Sequence, residues 1–419
     1  MGENKKKPEI RFQGFHDEWQ EKEYKNIFIN IPNNTLSRSE LNYNFGLVKN
    51  IHYGDVLIKF GELLDVKKEE LPFITNNILA NKYLSSSLKN GDIIIADAAE
   101  DETVGKCTEV ANIDKELVVS GLHTIPIRPI ESFSVGYLGY FMNSSAYHSQ
   151  LLRLMQGTKV LSISKSALKD TLFRYPLNKT EQSQIGKFFQ DIDQLISLRQ
   201  KKLDKLKNLK KAFLNKMFPK EGSDVPEIRF EGFSGKWVTE KLETLTEVNQ
   251  GLQIAISKRY REYVIGSYFY ITNEFLKENP DIKYYILNPP ESVICKESDV
   301  LMTRTGNTGH VVTNVSGAFH NNFFRIKFSH DQLNKIFFVC FLKLPQTQEL
   351  ILKLAGTSTI PDLNHKDFYG IKLAYPTNID EQTKIGNLFQ TLDRLISLQD
   401  KEVEKLKNLK KAFLSKMFV

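Results

Sequence analysis

Residues 181–218 read EQSQIGKFFQDIDQLISLRQKKLDKLKNLKKAFLNKMF, and residues 381–418 read EQTKIGNLFQTLDRLISLQDKEVEKLKNLKKAFLSKMF. Aligned without gaps, the two stretches are identical at 25 of 38 positions. In both, apolar residues recur at alternating steps of three and four, which is the spacing of a coiled-coil seam. The repeat therefore predicts two long helices, each roughly 57 Å long at a rise of 1.5 Å per residue.

Each predicted helix carries one apolar stripe, and burying the two stripes together is the simplest way to remove both from water. We therefore expect the helices to pack antiparallel, which gives the chain approximate twofold symmetry. The stripe includes Ile185, Phe189, Leu206 and Phe213 in the first copy, and Ile385, Phe389, Leu406 and Phe413 in the second.

Polar residues interrupt the stripe at Arg199 and Gln399. One interpretation is that the stripe drifts, so that Leu198 and Leu398 make the contact instead, and this is the one that we favour. The other is a polar layer that fixes the register of the helices.

Both helix starts carry an Asn-x-x-Glu spacing, formed by Asn178 with Glu181 and by Asn378 with Glu381. This spacing predicts a capping box at the first turn.

A second repeat precedes each variable region. Residues 8–19 read PEIRFQGFHDEW, and residues 226–237 read PEIRFEGFSGKW. We interpret their aromatic residues as structural anchors that dock each variable module. The two repeats together divide the chain into an N-terminal repeat segment (1–19), a first module (20–178), a first helix (179–218), a linker with the second repeat segment (219–237), a second module (238–378) and a second helix (379–419).

Composition indicates a globular protein of two or three domains, since the chain has 419 residues with 41% hydrophobic and 26% charged side chains. No run of roughly 18 or more apolar residues predicts a membrane span. The three cysteines, Cys107, Cys295 and Cys340, are scattered and odd in number, which argues against a disulfide framework. We therefore expect a reducing, cytoplasmic setting.

The net charge of +7 hints at a polyanionic partner. The two helix repeats carry +5 and +3, however, so the rest of the chain sums to about −1. If the variable modules bind nucleic acid, they must do so through local patches.

Both modules show short β-rich runs between turns, which predicts a mixed α+β fold with a small sheet in each. The predicted strands are 54–60, 91–97, 123–129, 298–304 and 323–328, and the predicted buried helices are 146–155 and 336–344.

No catalytic motif is present. The sequence has no GxxxxGK[ST] phosphate-binding loop, no GxGxxG after a strand and no HExxH, and its histidines show no metal-ligand spacing. Residues 288–291 read NPPE, which is similar to the NPP[YF] signature of amino methyltransferases but has Glu291 in place of the aromatic residue. A turn is the better interpretation, and the chain is predicted to be non-catalytic.

Polar and basic loops remain as candidate DNA contacts. Arginine, lysine, asparagine and threonine are the side chains that hold phosphates or read base edges, although plain turns account for the same stretches. The candidates are Lys49, Asn50, His52, Tyr53 and Lys159 in the first module, and Lys258, Arg259, Arg261, Arg304, Thr305, Asn307, Thr308, Thr357 and Ser358 in the second.

The whole pattern resembles the specificity subunit of type I restriction–modification systems. The resemblance covers nearly the whole chain and is carried by the PEIRFxGFxxxW pair, the EQxxIGxxFQxxDxLISL helix starts and the KLKNLKKAFL repeats at 205–214 and 405–414. It implies two target-recognition domains, joined by two antiparallel spacer helices. Each domain would read one half of a bipartite site in double-stranded DNA.

The resemblance also implies partners and cofactors. The helices, including the stripe residues named above, would dock two methyltransferase subunits, and restriction subunits would join the complex. S-adenosylmethionine and ATP with Mg would be held by those partners and not by this chain. A different class of function stays open, namely a coiled-coil scaffold whose two inserts bind protein.

Overall fold

The structure, a computed structural model, describes residues 6–220, 222–277, 282–356 and 359–419. The chain forms two compact units. Unit 1 comprises Met1–Gln200 and Lys401–Val419, and unit 2 comprises Lys201–Asp400. Both long helices cross from one unit into the other, so each unit holds half of each helix.

Unit 1 is a mixed α+β unit, as the sequence predicts. Its strands are β1 (Gln20–Glu23), β2 (Phe28–Asn30), β3 (Leu41–Asn42), β4 (Val48–Ile51), β5 (Leu63–Asp65), β6 (Phe73–Ile74), β7 (Ile93–Ala96), β8 (Ala98–Ala99), β9 (Cys107–Ala111), β10 (Leu117–Ser120), β11 (Thr124–Pro129), β12 (Leu161–Ser162) and β13 (Leu172–Tyr175). Its helices are α1 (Tyr53–Ile58), α2 (Asn77–Asn81), α3 (Tyr137–Asn143), α4 (Ser145–Leu152) and the first half of α5 (Lys179–Lys216).

The main sheet of unit 1 has the order β2-β11-β7-β9-β5, antiparallel except for the parallel pair β5–β9. A second sheet has the order β10-β4-β6-β3, and two-stranded pairs join β1 to β13 and β12 to β8. The β1–β13 pair ties the start of the unit to the strand that leads into α5.

Unit 2 has the same general plan with a smaller main sheet. Its strands are β14 (Val238–Lys241), β15 (Thr246–Gln250), β16 (Ser267–Ile271), β17 (Tyr285–Leu287), β18 (Ile294–Cys295), β19 (Val300–Thr303), β20 (Val311–Thr313), β21 (Gly317–Phe319), β22 (Phe323–Phe328) and β23 (Lys372–Tyr375). Its helices are α6 (Leu242–Leu245), α7 (Lys335–Leu342), α8 (Pro345–Ala355), α9 (His365–Gly370) and the first part of α10 (Ile379–Lys416).

The main sheet of unit 2 has the order β15-β22-β19-β20 and is antiparallel throughout. A second sheet has the order β17-β16-β21-β18, and β14 pairs with β23. Within the described residues of unit 2, β20 is the edge strand of the main sheet. In unit 1 the corresponding strand, β9, is followed by one more strand, β5.

The predicted strand at 54–60 is wrong, because residues 54–58 lie in helix α1 and residues 59–60 follow its end. Val56 and Phe60 are buried while Ile58 is exposed, and this alternation suited a strand. Phe60 follows the end of α1, where its backbone N–H donates to the carbonyl of Asp55 at 2.8 Å, and it packs with Val56 in one apolar cluster. His52 caps this helix by accepting a hydrogen bond from the backbone N–H of Gly54 at 3.2 Å.

The long helices run antiparallel within each unit, as predicted. In unit 1, Phe188 meets Phe413 edge to face at 5.1 Å, and Arg199 pairs with Glu402 at 3.2 Å, so numbers rise along α5 as they fall along α10. In unit 2, Lys210 of α5 pairs with Asp393 of α10, as expected for the same antiparallel alignment.

The favoured interpretation of the polar interruption is wrong. Leu198 and Leu398 are 64% and 51% exposed, whereas Gln399 is only 4% exposed. Gln399 lies one turn before buried Val403, so the step of four residues keeps it on the buried face. The stripe does not drift, and polar side chains form part of the packed seam.

The helix caps follow the sequence only in part. Asn178 Oδ1 accepts hydrogen bonds from the backbone N–H groups of Thr180 at 2.9 Å and Glu181 at 3.4 Å. The Glu181 carboxylate, however, binds Arg11 of the N-terminal repeat segment, so the glutamate anchors that segment to the helix.

The two tryptophan anchors are buried as expected, whereas the phenylalanines of both repeat segments are only half-buried. The Trp19 ring packs against Tyr137 and Phe418 at centroid distances of 6.4 Å each, and Trp237 packs against Phe218 at 6.0 Å. Each tryptophan joins its repeat segment to the end of a long helix. The NPPE stretch forms the predicted turn, with Asn288 at a positive φ of 48° before a short 3₁₀ turn.

Candidate nucleic-acid interface and docking helices

A polar loop follows the central strand of the main sheet in each unit. In unit 1, the backbone N–H of Asp97, just after β7, donates to the carbonyl of His123 at 3.1 Å. In unit 2, the backbone N–H of Arg304, just after β19, donates to the carbonyl of Asn322 at 2.7 Å. The two loops therefore hold equivalent positions in the two units.

In unit 1, this loop lies beside part of the predicted site. His123 Nδ1 lies 3.3 Å from Asp97 Oδ1, and the His123 ring meets Tyr53 edge to face at 5.2 Å. Burial raises the pKa of the Asp97 carboxyl, and the charge of His123 opposes that rise. Lys165, which follows β12 in the chain, donates a hydrogen bond to Asn33 Oδ1 at 3.1 Å. The result is a cluster that presents both donors and acceptors.

Two of the predicted contacts in unit 1 are buried. Asn50 is 0% exposed, and its Oδ1 accepts a hydrogen bond from Asn34 Nδ2 at 2.7 Å. His52 is also buried, and burial lowers its pKa. Neither side chain is therefore accessible for a DNA contact, and His52 instead packs against the ring of Tyr53 at 4.6 Å. Lys49 and Tyr53 are half-buried, and Lys159 is exposed.

In unit 2, Arg304 is held by the fold. Its Nη2 donates to Asp362 Oδ2 at 2.7 Å, and its guanidinium lies 5.6 Å from the Phe324 ring. Thr308 is buried and donates to the carbonyl of Pro361 at 2.8 Å. The loop is thus tied to the segment before α9, with Asn307 exposed at its tip and Thr305 half-buried.

The second basic stretch of unit 2 contains one arginine that is held by the fold and two basic residues that are exposed. Arg259 Nε and Nη2 donate to the carbonyl of Ile254 at 2.8 and 2.6 Å, and its guanidinium lies against the rings of Tyr270 and Tyr284. Lys258 and Arg261 are exposed on either side. Arg259 therefore shapes the loop that displays its two neighbours. Thr357 and Ser358 lie outside the described residues.

Asp97, His123 and Asp362 were missed by the sequence analysis. A signal for Asp97 was available, because GDIIIAD (91–97) and SDVLMTR (298–304) align without gaps and place Asp97 at the position of Arg304. His123 and Asp362 reach these loops only through strand pairing, which local sequence does not reveal.

The seam residues predicted to dock the partner subunits have little surface accessible to a partner. Ile185, Phe189, Ile385 and Phe389 are buried, and the other four are half-buried. The exposed apolar residues of the helices are instead a set of leucines that the two copies share. This leucine face consists of Leu195, Leu198 and Leu409 in unit 1, and of Leu395, Leu398 and Leu209 in unit 2.

The described residues contain no helix that is long and apolar enough to span a membrane. The same residues hold no group of three or more His, Cys, Asp or Glu side chains that could bind a metal ion. The three cysteines are buried as free thiols.

Comparison with known proteins places this arrangement in a family. Residues 16–208 and 234–408 each match the type I restriction modification DNA specificity domain. A protein of Methanocaldococcus jannaschii assigned as the type I restriction enzyme MjaX specificity subunit is 24% identical over 99% of this chain and 95% of its own length. The MjaVIII specificity subunit of the same organism is 27% identical over 38% of this chain and 36% of its own.

Solved structures share the fold. The type I restriction–modification S subunit from M. genitalium superimposes with a TM-score of 0.62 over 99% of both chains, at 14% identity. A chain from a structure that concerns complex assembly and conformational transition of the type I system has a TM-score of 0.54, covering 94% of this chain and 96% of its own, at 17% identity. Since the two matched regions cover most of the sequence, the chain belongs to the type I restriction–modification DNA specificity family and is a non-catalytic specificity subunit.

Proposed function

We propose that each unit reads one half of a bipartite, asymmetric DNA site through the loop after its central strand. The observation that carries this proposal is the difference between Asp97 and Arg304 at equivalent positions. A carboxylate accepts hydrogen bonds from the amino group of cytosine, whereas arginine donates two hydrogen bonds to guanine. Two loops with opposite chemistry would select different bases, so the half-sites would differ.

The supporting residues divide into base-reading and backbone-holding groups. His123 beside Asp97, and exposed Asn307 beside Arg304, extend the polar surface of each loop. Exposed Lys159, Lys258 and Arg261 have the charge that holds phosphates. Asn50, His52 and Arg259 would act by shaping these loops rather than by touching DNA.

Two copies of one methyltransferase subunit would dock on the leucine face. The same three leucines, at positions 200 residues apart, are exposed in each unit, so identical partners would find identical surfaces. Restriction subunits would join this assembly. S-adenosylmethionine, and ATP with Mg, would be bound by those partners, so the chemistry would take place outside this chain. We expect the whole complex to be cytoplasmic.

Methylome sequencing of a host that expresses this chain with its methyltransferase subunit tests the proposal. We expect methylation at one bipartite motif whose two halves differ in sequence, with a fixed gap. A motif with two identical halves, or methylation without sequence preference, would refute the reading by two different loops. The scaffold alternative predicts normal assembly with no effect of the chain on the methylated sequence.

Native mass spectrometry of the co-expressed proteins tests the partner ratio. We expect two methyltransferase subunits per specificity chain. A saturated one-to-one species would contradict the two-site assignment.

A further inference from the structure

A tight turn, residues 121–123, joins β10 to β11 in unit 1, and its surroundings fix it. The backbone N–H of Gly121 donates to the carbonyl of Ile51 at 2.8 Å. The carbonyl of Gly121 accepts hydrogen bonds from Thr124 Oγ1 at 2.5 Å and from Asn33 Nδ2 at 3.3 Å. A Cβ atom at Gly121 would lie 2.8 Å from the Ile51 carbonyl oxygen, which leaves no room for a larger residue. These contacts leave the turn little freedom to move.

His123 ends this turn in a left-handed backbone conformation, with a φ of 55°. Residues other than glycine seldom adopt this region, and those that the fold holds there cluster at functional sites. The His123 ring has two neighbours, since Nδ1 lies 3.3 Å from Asp97 Oδ1 and the Tyr53 ring meets it edge to face at 5.2 Å. The His123 side chain is nevertheless 52% exposed. The ring is thus held in a defined place on a surface that a partner can reach.

The contact with Asp97 decides which nitrogen of the ring carries the proton. The backbone of Asp97 is fixed on both sides, because its N–H donates to the carbonyl of His123 at 3.1 Å and its carbonyl accepts from Ile163 at 2.9 Å. An ionised carboxylate only accepts hydrogen bonds, so Nδ1 of His123 is the donor in this pair. In the neutral ring, Nε2 is then an acceptor. The pair therefore offers two acceptors, Asp97 Oδ2 and His123 Nε2.

Unit 2 has the opposite chemistry at the equivalent pair of positions. The backbone N–H of Arg304 donates to the carbonyl of Asn322, as that of Asp97 does to the carbonyl of His123. Asn322 therefore takes the place of His123. The arginine side chain is only a donor, and the asparagine amide both donates and accepts. Both members of the pair, and not Asp97 alone, thus distinguish unit 1 from unit 2.

We propose that His123 is a second specificity-determining residue of unit 1, whose Nε2 accepts a hydrogen bond from the amino group of an adenine or a cytosine. The proposal rests on the proposed function, in which Asp97 reads a base of the same half-site. Adenine N6 and cytosine N4 are the hydrogen-bond donors of the major groove, whereas guanine and thymine present carbonyl oxygens there. A guanine or thymine at this position would therefore place an acceptor against Nε2.

The two bases read by Asp97 and His123 should belong to neighbouring base pairs. The two side chains are only 3.3 Å apart at their contact, and successive bases of one strand lie about 3.4 Å apart along the helix axis. Side chains in direct contact cannot reach bases that are far apart. Unit 1 would thus select two adjacent amino groups, one through a carboxylate and one through an imidazole.

Binding of modified duplexes by the complex with the methyltransferase subunits tests this pair of contacts. Each duplex carries the methylated motif with one exocyclic amino group replaced by hydrogen, using purine for adenine and 2-pyrimidinone for cytosine. At pH 8, we expect two adjacent replacements in one half-site to weaken binding by the native complex by about tenfold each, because each leaves an acceptor unpaired. The His123→Gly complex should tolerate one of these replacements within about twofold and stay sensitive to the other. Asp97→Ala should show the reverse.

The design separates recognition from folding. Glycine adopts a positive φ without strain, so His123→Gly keeps the turn. Asn112→Gly, at a φ of 62° elsewhere in unit 1, is the matched control and should keep the native sensitivity to every replacement. Each variant is compared with the native chain on the same duplexes, so the effect of a replacement on base pairing cancels.

Two results would overturn the role of His123. One is an equal loss of affinity of His123→Gly for every duplex, which would make His123 a purely structural residue of the turn. The other is an unchanged sensitivity of His123→Gly to every replacement. If Asp97→Ala still loses its sensitivity to one replacement, only the inference on His123 fails. If Asp97→Ala also keeps every sensitivity, the reading of DNA by this loop fails as well.

Discussion

Arg11 donates two parallel hydrogen bonds to the Glu181 carboxylate, from Nε to Oε1 at 2.7 Å and from Nη2 to Oε2 at 2.9 Å. The third donor, Arg11 Nη1, binds the carbonyl of Asp17 at 2.7 Å and closes the repeat segment into a loop. Glu181 is only 1% exposed. The same three bonds recur in unit 2, where Arg229 binds Glu381 and the carbonyl of Gly235. This ion pair explains why the two distant repeats, PEIRF and the EQ helix start, occur together in each half of the chain.

Substitution of Arg11 by methionine should destabilise unit 1. It leaves the buried Glu181 carboxylate without its cation, and removing one partner of a buried pair costs about 3–5 kcal/mol. We expect a loss of that order in the free energy of unfolding, measured by urea denaturation at pH 7. Arg229→Met should do the same to unit 2.

Lys187→Met is the matched control for Arg11→Met. Lys187 pairs with Asp191 on the same helix, but both side chains are exposed, and exposed pairs of this kind contribute at most about 0.5 kcal/mol. Equal losses for the two variants would mean that the Arg11–Glu181 pair is not a structural anchor.

Acidification should stabilise unit 1 through Glu109. This carboxylate is buried against the start of α3, where it accepts hydrogen bonds from the N–H groups of Gly136 at 2.7 Å and Gly139 at 3.0 Å. Burial raises its pKa from 4.5 to about 7, against the opposing effect of those hydrogen bonds. A raised carboxyl pKa means that the folded state binds the proton more tightly than the unfolded state.

The resulting stabilisation is complete below the unfolded pKa near 4.5 and is lost as the pH rises through about 7. Its upper bound is about 3 kcal/mol, at 1.36 kcal/mol per pH unit. We expect the native chain to lose this much stability between pH 5 and pH 8 relative to Glu109→Gln, whose side chain does not titrate. Parallel pH profiles of the two proteins would show that Glu109 ionises normally in the folded chain.

The leucine face should decide partner binding. Substitution of Leu195 and Leu198 together by aspartate places two charges on the exposed apolar surface of unit 1 without touching the seam. We expect one of two methyltransferase subunits to be lost, with its affinity lowered at least about tenfold, or 1.4 kcal/mol, as read by native mass spectrometry. Leu177→Asp, an exposed leucine of unit 1 outside the helices, is the control. Unchanged two-to-one assembly of the double variant would locate docking elsewhere.

Local periodicity predicted the architecture better than it predicted the site. The three-four spacing placed both long helices, and the β-rich runs placed β7, β11, β19 and β22, because these patterns depend on neighbours in sequence. The apolar pattern alone favours Leu198 and Leu398 as seam residues over their polar neighbours Arg199 and Gln399. Only the packing of the two helices shows that the leucines are exposed and that Gln399 is buried. The site depended on partners from other strands, which explains why the buried state of Asn50 and the pairing of Arg304 with Asp362 were not foreseen.

Substitutions at the two equivalent loop positions should affect different half-sites. Arg304→Ala should reduce discrimination at one base pair of one half-site by about 1–3 kcal/mol, the contribution of a bidentate arginine contact, while assembly of the complex survives. To make that contact, Arg304 must exchange its bond with Asp362, so Asp362→Ala should preserve the recognised base and change affinity alone. Asp97→Asn should alter the other half-site and leave the first intact. Methylation rates on a panel of duplexes, each with one base pair changed, report all three variants at once. If Arg304→Ala methylates the same full site at the native rate, the loop is a structural turn. If Arg304→Ala and Asp97→Asn disturb the same half-site, the two units do not read separate halves of the DNA.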